Sequence, residues 1–148
     1  MSTASVPSLS RAIASFLREH HVVGLATVVD GQPWAASCFY AFEEEAPALI
    51  VMSSLKTRHA VGMLGEPQIA GTIAAQPVNV LTIRGLQFTA TAELLAGEAR
   101  SAARSFYCLR HPVARLMPGD VWRLRFETIK YTDNARGLAN KLYWTRSA

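Results

Sequence analysis

Between Ser8 and His20 apolar residues recur three and four apart, so that Leu9, Ile13, Phe16 and Leu17 share one side. That spacing predicts an amphipathic helix with Ser8 as N-cap and His20 and His21 closing it. From Val22 the period changes. Val22 to Val29 is short, apolar and β-branched, which predicts a strand. Asp30-Gly31 is a strong hairpin signal and Gln32 to Phe42 is the returning strand, with Pro33 placing its start near an edge. The run Glu43-Glu44-Glu45 reads as a solvated turn into a buried strand, Ala48 to Met52. Ala60 to Leu64 allows one or two helical turns, closed by Gly65. Pro67 to Ala75 is a further strand, which Pro77 stops. Val80 to Leu95 reads as one long strand with Val80, Leu86, Phe88, Ala90, Ala92 and Leu94 on one face. Gly85 within it marks a bulge, a bend or close approach by a ligand. Gly97 to Arg110 is a second long helix, ended by Pro112. Asp120 to Thr132 alternates apolar residues with Arg123 and Arg125, as a half-buried strand does. The stretch Lys141 to Arg146 is aromatic enough to pack on the core or on a partner subunit.

Helix, hairpin, strand, short helix, two strands, helix and strand make a mostly β chain with peripheral helices and no βαβ rhythm. A closed or half-closed antiparallel barrel fits that order better than a doubly wound sheet. The 148 residues suit one domain, 1–148, with residues 1–7 as a flexible N-terminus.

Composition sharpens this picture. Half of the residues are hydrophobic and mean hydropathy is +0.14, high for a small monomer, so apolar surface buried between subunits is expected. No apolar run approaches the roughly 18 residues of a membrane span, and Met1 to Pro7 lacks the basic and apolar regions of a signal peptide. A cytoplasmic protein with no membrane partner is expected. Net charge is +4, but the basic residues are spread along the chain, which disfavours a disordered nucleic-acid arm. Cys38 and Cys108 sit in apolar contexts and read as buried thiols. The four histidines have no metal-ligand spacing, so no metal is expected.

One stretch concentrates chemistry. Ser53-Ser54-Leu55-Lys56-Thr57-Arg58-His59 lies between the Ala48 strand and the short helix. Backbone N–H groups at such a junction lack partners and the helix dipole is positive there, which favours an anion. Lys56 adds a flexible charge, Arg58 a planar fork of donors, and Ser53, Ser54 and Thr57 add hydroxyls. A terminal phosphate suits that set. The plainer reading has Thr57 or Ser54 capping the helix while Lys56, Arg58 and His59 point into water.

The segments Lys56-Thr57-Arg58-His59-Ala60, Ile83-Arg84-Gly85-Leu86-Gln87-Phe88, His111-Pro112-Val113-Ala114-Arg115 and Ile129-Lys130-Tyr131-Thr132-Asp133-Asn134 carry a resemblance over nearly the whole chain. It resembles the FMN-binding split barrels related to pyridoxamine 5'-phosphate oxidase, and more closely the small YhbP-like bacterial proteins among them. The resemblance implies a six-stranded antiparallel split β-barrel and a homodimer, with FMN in a groove at the subunit interface. Carried over by position, Ser53, Lys56, Thr57, Arg58 and His59 would hold the phosphate. Ala36, Ser37, Cys38 and Phe39 would lie along the isoalloxazine, mostly through backbone, and Arg84, Gly85 and Gln87 would stand beside it. Three departures exclude pyridoxamine phosphate oxidation. The oxidase has glutamine at the position of Gly85, arginine at that of Ala36, and a terminal Arg-Leu-x-Pro motif where this chain reads Trp144-Thr145-Arg146-Ser147-Ala148.

An FMN-dependent oxidoreductase acting on a small molecule is therefore the first expectation, with no catalytic residue identifiable. Tyr40, Tyr107, His59 and His111 are candidates only in that they can move protons. A non-catalytic protein that holds a flavin, haem or another phosphorylated ligand is the alternative, and FMN itself is absent from some relatives. Nucleic-acid binding through the Arg123 and Arg125 stripe ranks last.

Overall fold

The computed structural model describes residues 5–137 and 140–147. Residues 1–4 of the expected flexible N-terminus lie outside these. Helix α1 spans Arg11–Glu19 and buries Ile13, Ala14, Phe16 and Leu17. Its N-cap is Ser10, whose Oγ accepts from Ile13 N, and not Ser8; the apolar periodicity begins at Leu9, two residues before the backbone becomes helical. Strands β1 (Val22–Val29) and β2 (Gln32–Phe39) form the expected hairpin. Asp30 and Gly31 both have positive φ, as a two-residue turn matched to strand twist requires.

The expected strand Gln32 to Phe42 is two strands. The chain breaks at Tyr40 and resumes as β3 (Ala41–Glu43), which pairs not with β1 but with β4 (Ala48–Met52). Glu43 thereby leaves the solvated turn; it is half-buried and accepts from Arg123 Nε at 2.9 Å. Helix α2 (Arg58–Gly65) and β5 (Gln68–Ala74) follow. Strand β6 runs Arg84–Leu94. Val80–Thr82, expected to open that strand, forms a 3-10 turn because Asn79 caps it and Leu81 turns outward. Helix α3 (Gly97–Arg110), a 3-10 turn at Pro112–Leu116, β7 (Val121–Asp133) and β8 (Lys141–Thr145) complete the order.

The sheet runs β2-β1-β5-β6-β7-β4-β3, with β8 also on β7, so it has eight strands and not the six expected. All pairings are antiparallel. The additional strands are the short β3 and β8. The long β7 makes room for β8: its first half pairs with β4, its second half with β8, and its other side with β6 throughout. Arg146 fills the junction, donating to Phe126 O at 2.6 Å and Pro47 O at 2.8 Å. The irregularity expected at Gly85 lies instead between Thr89 and Ala90, opposite an extra residue, Glu127, on β7.

The inner face of the curled sheet is the core, built from Val23, Leu25, Leu49, Val51, Leu86, Phe88, Trp122, Phe126 and Tyr131 with Phe16 and Leu17 of α1. Trp144 joins it and donates to Pro7 O at 3.0 Å, so the aromatic C-terminal segment packs on the core as expected. Both cysteines are buried and free. No helix is long and apolar enough to cross a membrane among the described residues.

Gly71 on β5 shows how tightly the sheet curls. A Cβ there would stand 2.5 Å from the Phe88 ring and 2.6 Å from Gly24 O, and the second neighbour is backbone that cannot step aside. Gly71→Ala is expected to lower stability by about 1–3 kcal/mol, the usual cost of overpacking, measured as a shift of the urea midpoint.

Candidate functional site

β2 and β3 are consecutive in the chain yet lie at opposite edges of the sheet. The edges therefore face each other across a cleft, tied at Tyr40. Tyr40 is buried, its N–H donates to His21 O at 2.9 Å and its hydroxyl to Leu17 O at 2.8 Å, so the tie is rigid. The cleft is lined on one side by the free edge of β2 and on the other by the end of β4 and the start of α2.

The register says which groups β2 offers. A two-residue turn makes Val29 and Gln32 a hydrogen-bonded pair, so bonded pairs recur at Trp34, Ala36 and Cys38. The Tyr40 to His21 bond continues that phase. Pro33, Ala35, Ser37 and Phe39 then turn their backbone groups to the open edge, and Pro33 has no N–H to leave unpaired there. Phe39 O accepts from Tyr107 Oη at 3.4 Å. Among the described residues, the N–H and C=O of Ala35 and Ser37 have no partner. Ser37 and Phe39 are exposed, Ala36 is half-buried, and Cys38 points inward.

Across the cleft, Ser53, Thr57 and His59 meet Cys38. His59 Nε2 lies 2.8 Å from Ser53 Oγ, 3.5 Å from Thr57 Oγ1 and 3.7 Å from Cys38 Sγ, and Cys38 Sγ is 3.6 Å from Ser53 Oγ. Ser53 is only 7% exposed, held by Trp122 Nε1, which donates to its carbonyl at 3.1 Å. Burial pushes the Cys38 thiol up, partly offset by Ser53, so it stays protonated at neutral pH. Burial also lowers the His59 pKa, so its imidazole is neutral there.

Thr57 does cap α2: its Oγ1 accepts from Ala60 N at 3.3 Å and donates to Ser54 O at 2.7 Å. The plainer reading is thus right for Thr57, whose hydroxyl is already engaged. It holds for Lys56 as well. Arg58 is also exposed, but its guanidinium lies 4.7 Å from the centre of the Trp34 ring, which aims it along β2, and His59 turns inward to Ser53. Lys56 is exposed and, among the described residues, has no ion-pair partner. The N–H groups of Arg58 and His59, first in α2, have no carbonyl one turn back to reach. Asp120, which the sequence did not point to, shapes the loop by accepting from Leu55 N at 2.8 Å. Trp34 and Trp122 were missed for the same reason: their roles depend on contacts 24 and 69 residues away in sequence.

Arg84, Gly85 and Gln87 do not join this cluster. Arg84 pairs with Glu19 at 3.0 Å and Asp133 at 3.8 Å and lies over the Phe16 ring; its hydrogen bonds with Glu19 and Tyr131 raise its pKa further. Gly85 is a sheet residue opposite Ala74 and Thr132. Gln87 stands on the outer face in the row Ser37, Gly24, Thr72, Gln87, three strands from β2. It does border a shallow cavity of about 590 Å³ that Ser37 and Ala35 border at the other end. Among the described residues no group of three or more His, Cys, Asp or Glu could hold a metal ion.

Because the fold depresses the His59 pKa below its ordinary 6.5, the unfolded chain binds the proton first as pH falls. His59 therefore contributes a loss of stability that sets in below about pH 6.5 and is absent above it. We expect His59→Gln to flatten the dependence of the urea midpoint on pH between about 6.5 and 5.5, a change absent if His59 titrates normally in the fold.

No family model matches the chain. It is 44% identical over 134 residues to a UPF0306 protein of Yersinia pseudotuberculosis, covering 90% of this chain and 91% of that one. It is 43% identical over the same length to a UPF0306 protein of Yersinia pestis. Among solved structures, a heme binding protein from Mycobacterium smegmatis superposes with a TM-score of 0.75 at 21% identity, over 95% of this chain and 60% of that one. A FAD-binding protein from Mesorhizobium loti gives 0.68 at 19% identity, over 84% and 93%. The heme storage protein HutZ from Vibrio cholerae gives 0.62 at 20%, over 82% and 92%. The curled antiparallel sheet with its cleft between β2 and α2, and the extended identity to the Yersinia proteins, place this chain in the UPF0306 family, with a split-barrel fold of the pyridoxamine 5'-phosphate oxidase type.

Proposed function

We propose that the chain is an FMN-binding flavoprotein, an oxidoreductase for a small molecule, that works as a homodimer. The observation that carries this reading is the pairing of a charged, hydroxyl-rich start of α2 with an unpaired strand edge across one cleft. A phosphate monoester fits the α2 end: Lys56 and Arg58 carry the charge, the Arg58 and His59 N–H groups point outward, and Ser54 and Ser53 add hydroxyls. A planar heterocycle with alternating donors and acceptors fits the edge, where Ala35 and Ser37 present backbone N–H and C=O without partners. FMN joins those two chemistries in one molecule, and when bound it would supply the hydride or electron transfer.

The protein's own part is to position and to insulate. Arg58, stacked on Trp34, is held near the cleft before any ligand arrives, which lessens the ordering cost of binding. Cys38 and Ser53 present a neutral wall beneath the edge, so no fixed charge competes with the ring. Gln87 and the outer-face cavity lie too far along the sheet to complete the site in one protomer. A second copy on that face would bring such groups to the ring and would cover the exposed Val22, Val28 and Phe39.

Haem is the competing occupant, since two similar solved structures are of heme proteins; a phosphorylated ligand other than FMN is the other alternative. The histidines speak against axial ligation by His59 and His111: Nε2 of each is already bonded, to Ser53 Oγ and to Tyr40 O at 2.7 Å.

Purified protein mixed with FMN and gel-filtered is expected to retain flavin absorption; retention of haem with loss of flavin would overturn the reading. Replacing both Lys56 and Arg58 with alanine should weaken FMN by about 2–5 kcal/mol through loss of two charge-assisted contacts, while riboflavin, which has no phosphate, changes far less. Light scattering at micromolar concentration should give twice the chain mass; a monomer would remove the partner half of the site.

A further inference from the structure

α3 is apolar on two sides. Its inner side buries Ala103, Tyr107 and Cys108. Its outer side carries a second stripe, Ala102, Phe106 and Leu109, spaced three and four apart and exposed. Val113 and Leu116 of the 3-10 turn, and Met117 after it, extend the stripe. Leu116 is 88% exposed, Leu109 73% and Val113 72%. These are protruding side chains, and the hollows beside them, near Phe106 and near Arg104, are shallow and open.

The charge around the stripe has one sign. Residues 99–119 contain Arg100, Arg104, Arg110 and Arg115 and no carboxylate. Arg104 donates to the carbonyls of Ala114, Arg115 and Met117, which fixes the turn on the helix. Arg110 donates to Arg18 O and bonds His21 Nδ1, and Arg100 donates to Gly119 O. Among the described residues none of these arginines has an ion-pair partner, and the Arg115 side chain has no hydrogen bond either. Glu98, Asp120, which accepts from Leu55 N, and Glu44, paired with Arg18, are acids at the margins.

We propose that this face of α3 and the turn after it docks the protein onto an anionic lipid bilayer, with Leu109, Val113, Leu116 and Met117 entering the headgroup boundary. Three observations select that occupant. Convex leucines insert into a soft surface, whereas a peptide helix would need a groove to receive it. A second copy packed symmetrically on this face would set four unpaired arginines against four others, and the outer face of β1, β2 and β5, whose outward residues carry no charge, suits that role better. Nucleic acid would match the charge but leave the apolar tips in water. The expectation of no membrane partner rested on the lack of a spanning run, which does not bear on contact with a bilayer surface.

Sedimentation of the full chain with vesicles tests this. Binding is expected to an equimolar mixture of phosphatidylglycerol and phosphatidylcholine, weakening with added salt, and not to phosphatidylcholine alone. The pair Leu109→Glu and Leu116→Glu should abolish it with thermal midpoint unchanged. Arg115→Gln, a surface change that leaves the apolar tips intact, should weaken it about fivefold. Absence of wild-type binding, equal binding to neutral vesicles, or variants that bind like wild type would overturn the proposal. So would a leucine pair that alters particle mass in light scattering, because the face would then lie between copies.

Discussion

Everything about this protein depends on one topological constraint: the two edge strands are neighbours in sequence. β2 ends at Phe39 and β3 begins at Ala41, yet the whole sheet lies between them. The sheet can satisfy both only by curling until its edges face each other. Tyr40 holds that geometry with two hydrogen bonds from a buried position. Because closure is made by the chain and not by a ladder of hydrogen bonds, β2 keeps an open row of donors and acceptors. Sheets ordinarily hide such a row; here it lines the cleft that α2 overlooks.

The second theme is how little charge sits inside that cleft and how much at its mouth. Cys38, Ser53 and His59 form a compact cluster that burial keeps neutral. Lys56 and Arg58 stand outside it, and Arg58 is steadied by an indole ring and not by a carboxylate. Asp120 spends its charge on a backbone N–H of the loop. The result is a positive rim over a neutral floor, an arrangement that attracts an anionic tail and tolerates an uncharged ring.

Much of this was legible in the sequence, and the failures have physical causes. β1, α3 and the Asp30-Gly31 turn follow from local periodicity and turn chemistry, which three or four neighbouring residues decide. The Lys56 to His59 junction was legible because a strand-to-helix step announces itself. What could not be read was the break at Tyr40: Phe39, Tyr40, Ala41 and Phe42 continue a β pattern, and only the competition between two edges splits it. Val80 and Leu81 misled because apolar residues look like core until the fold leaves them exposed. The assembly of Cys38 with His59 was invisible for the same reason as Trp34 beneath Arg58. Contacts between residues 21 and 24 apart leave no mark on either local pattern.

The position of β7 has a consequence for how the molecule comes to exist. It pairs with β6 along its whole length, with β4 on one half and with β8 on the other, and it lies near the end of the chain. During synthesis the β3–β4 pair and the β2-β1-β5-β6 run emerge with their shared partner still missing, so nothing joins the two until Val121–Asp133 leaves the ribosome. The barrel then assembles late and by long-range pairing, which is slow compared with local folding. A growing chain would therefore hold α2 without the strand that anchors Ser53 through Trp122, and ligand capture belongs to the finished protein.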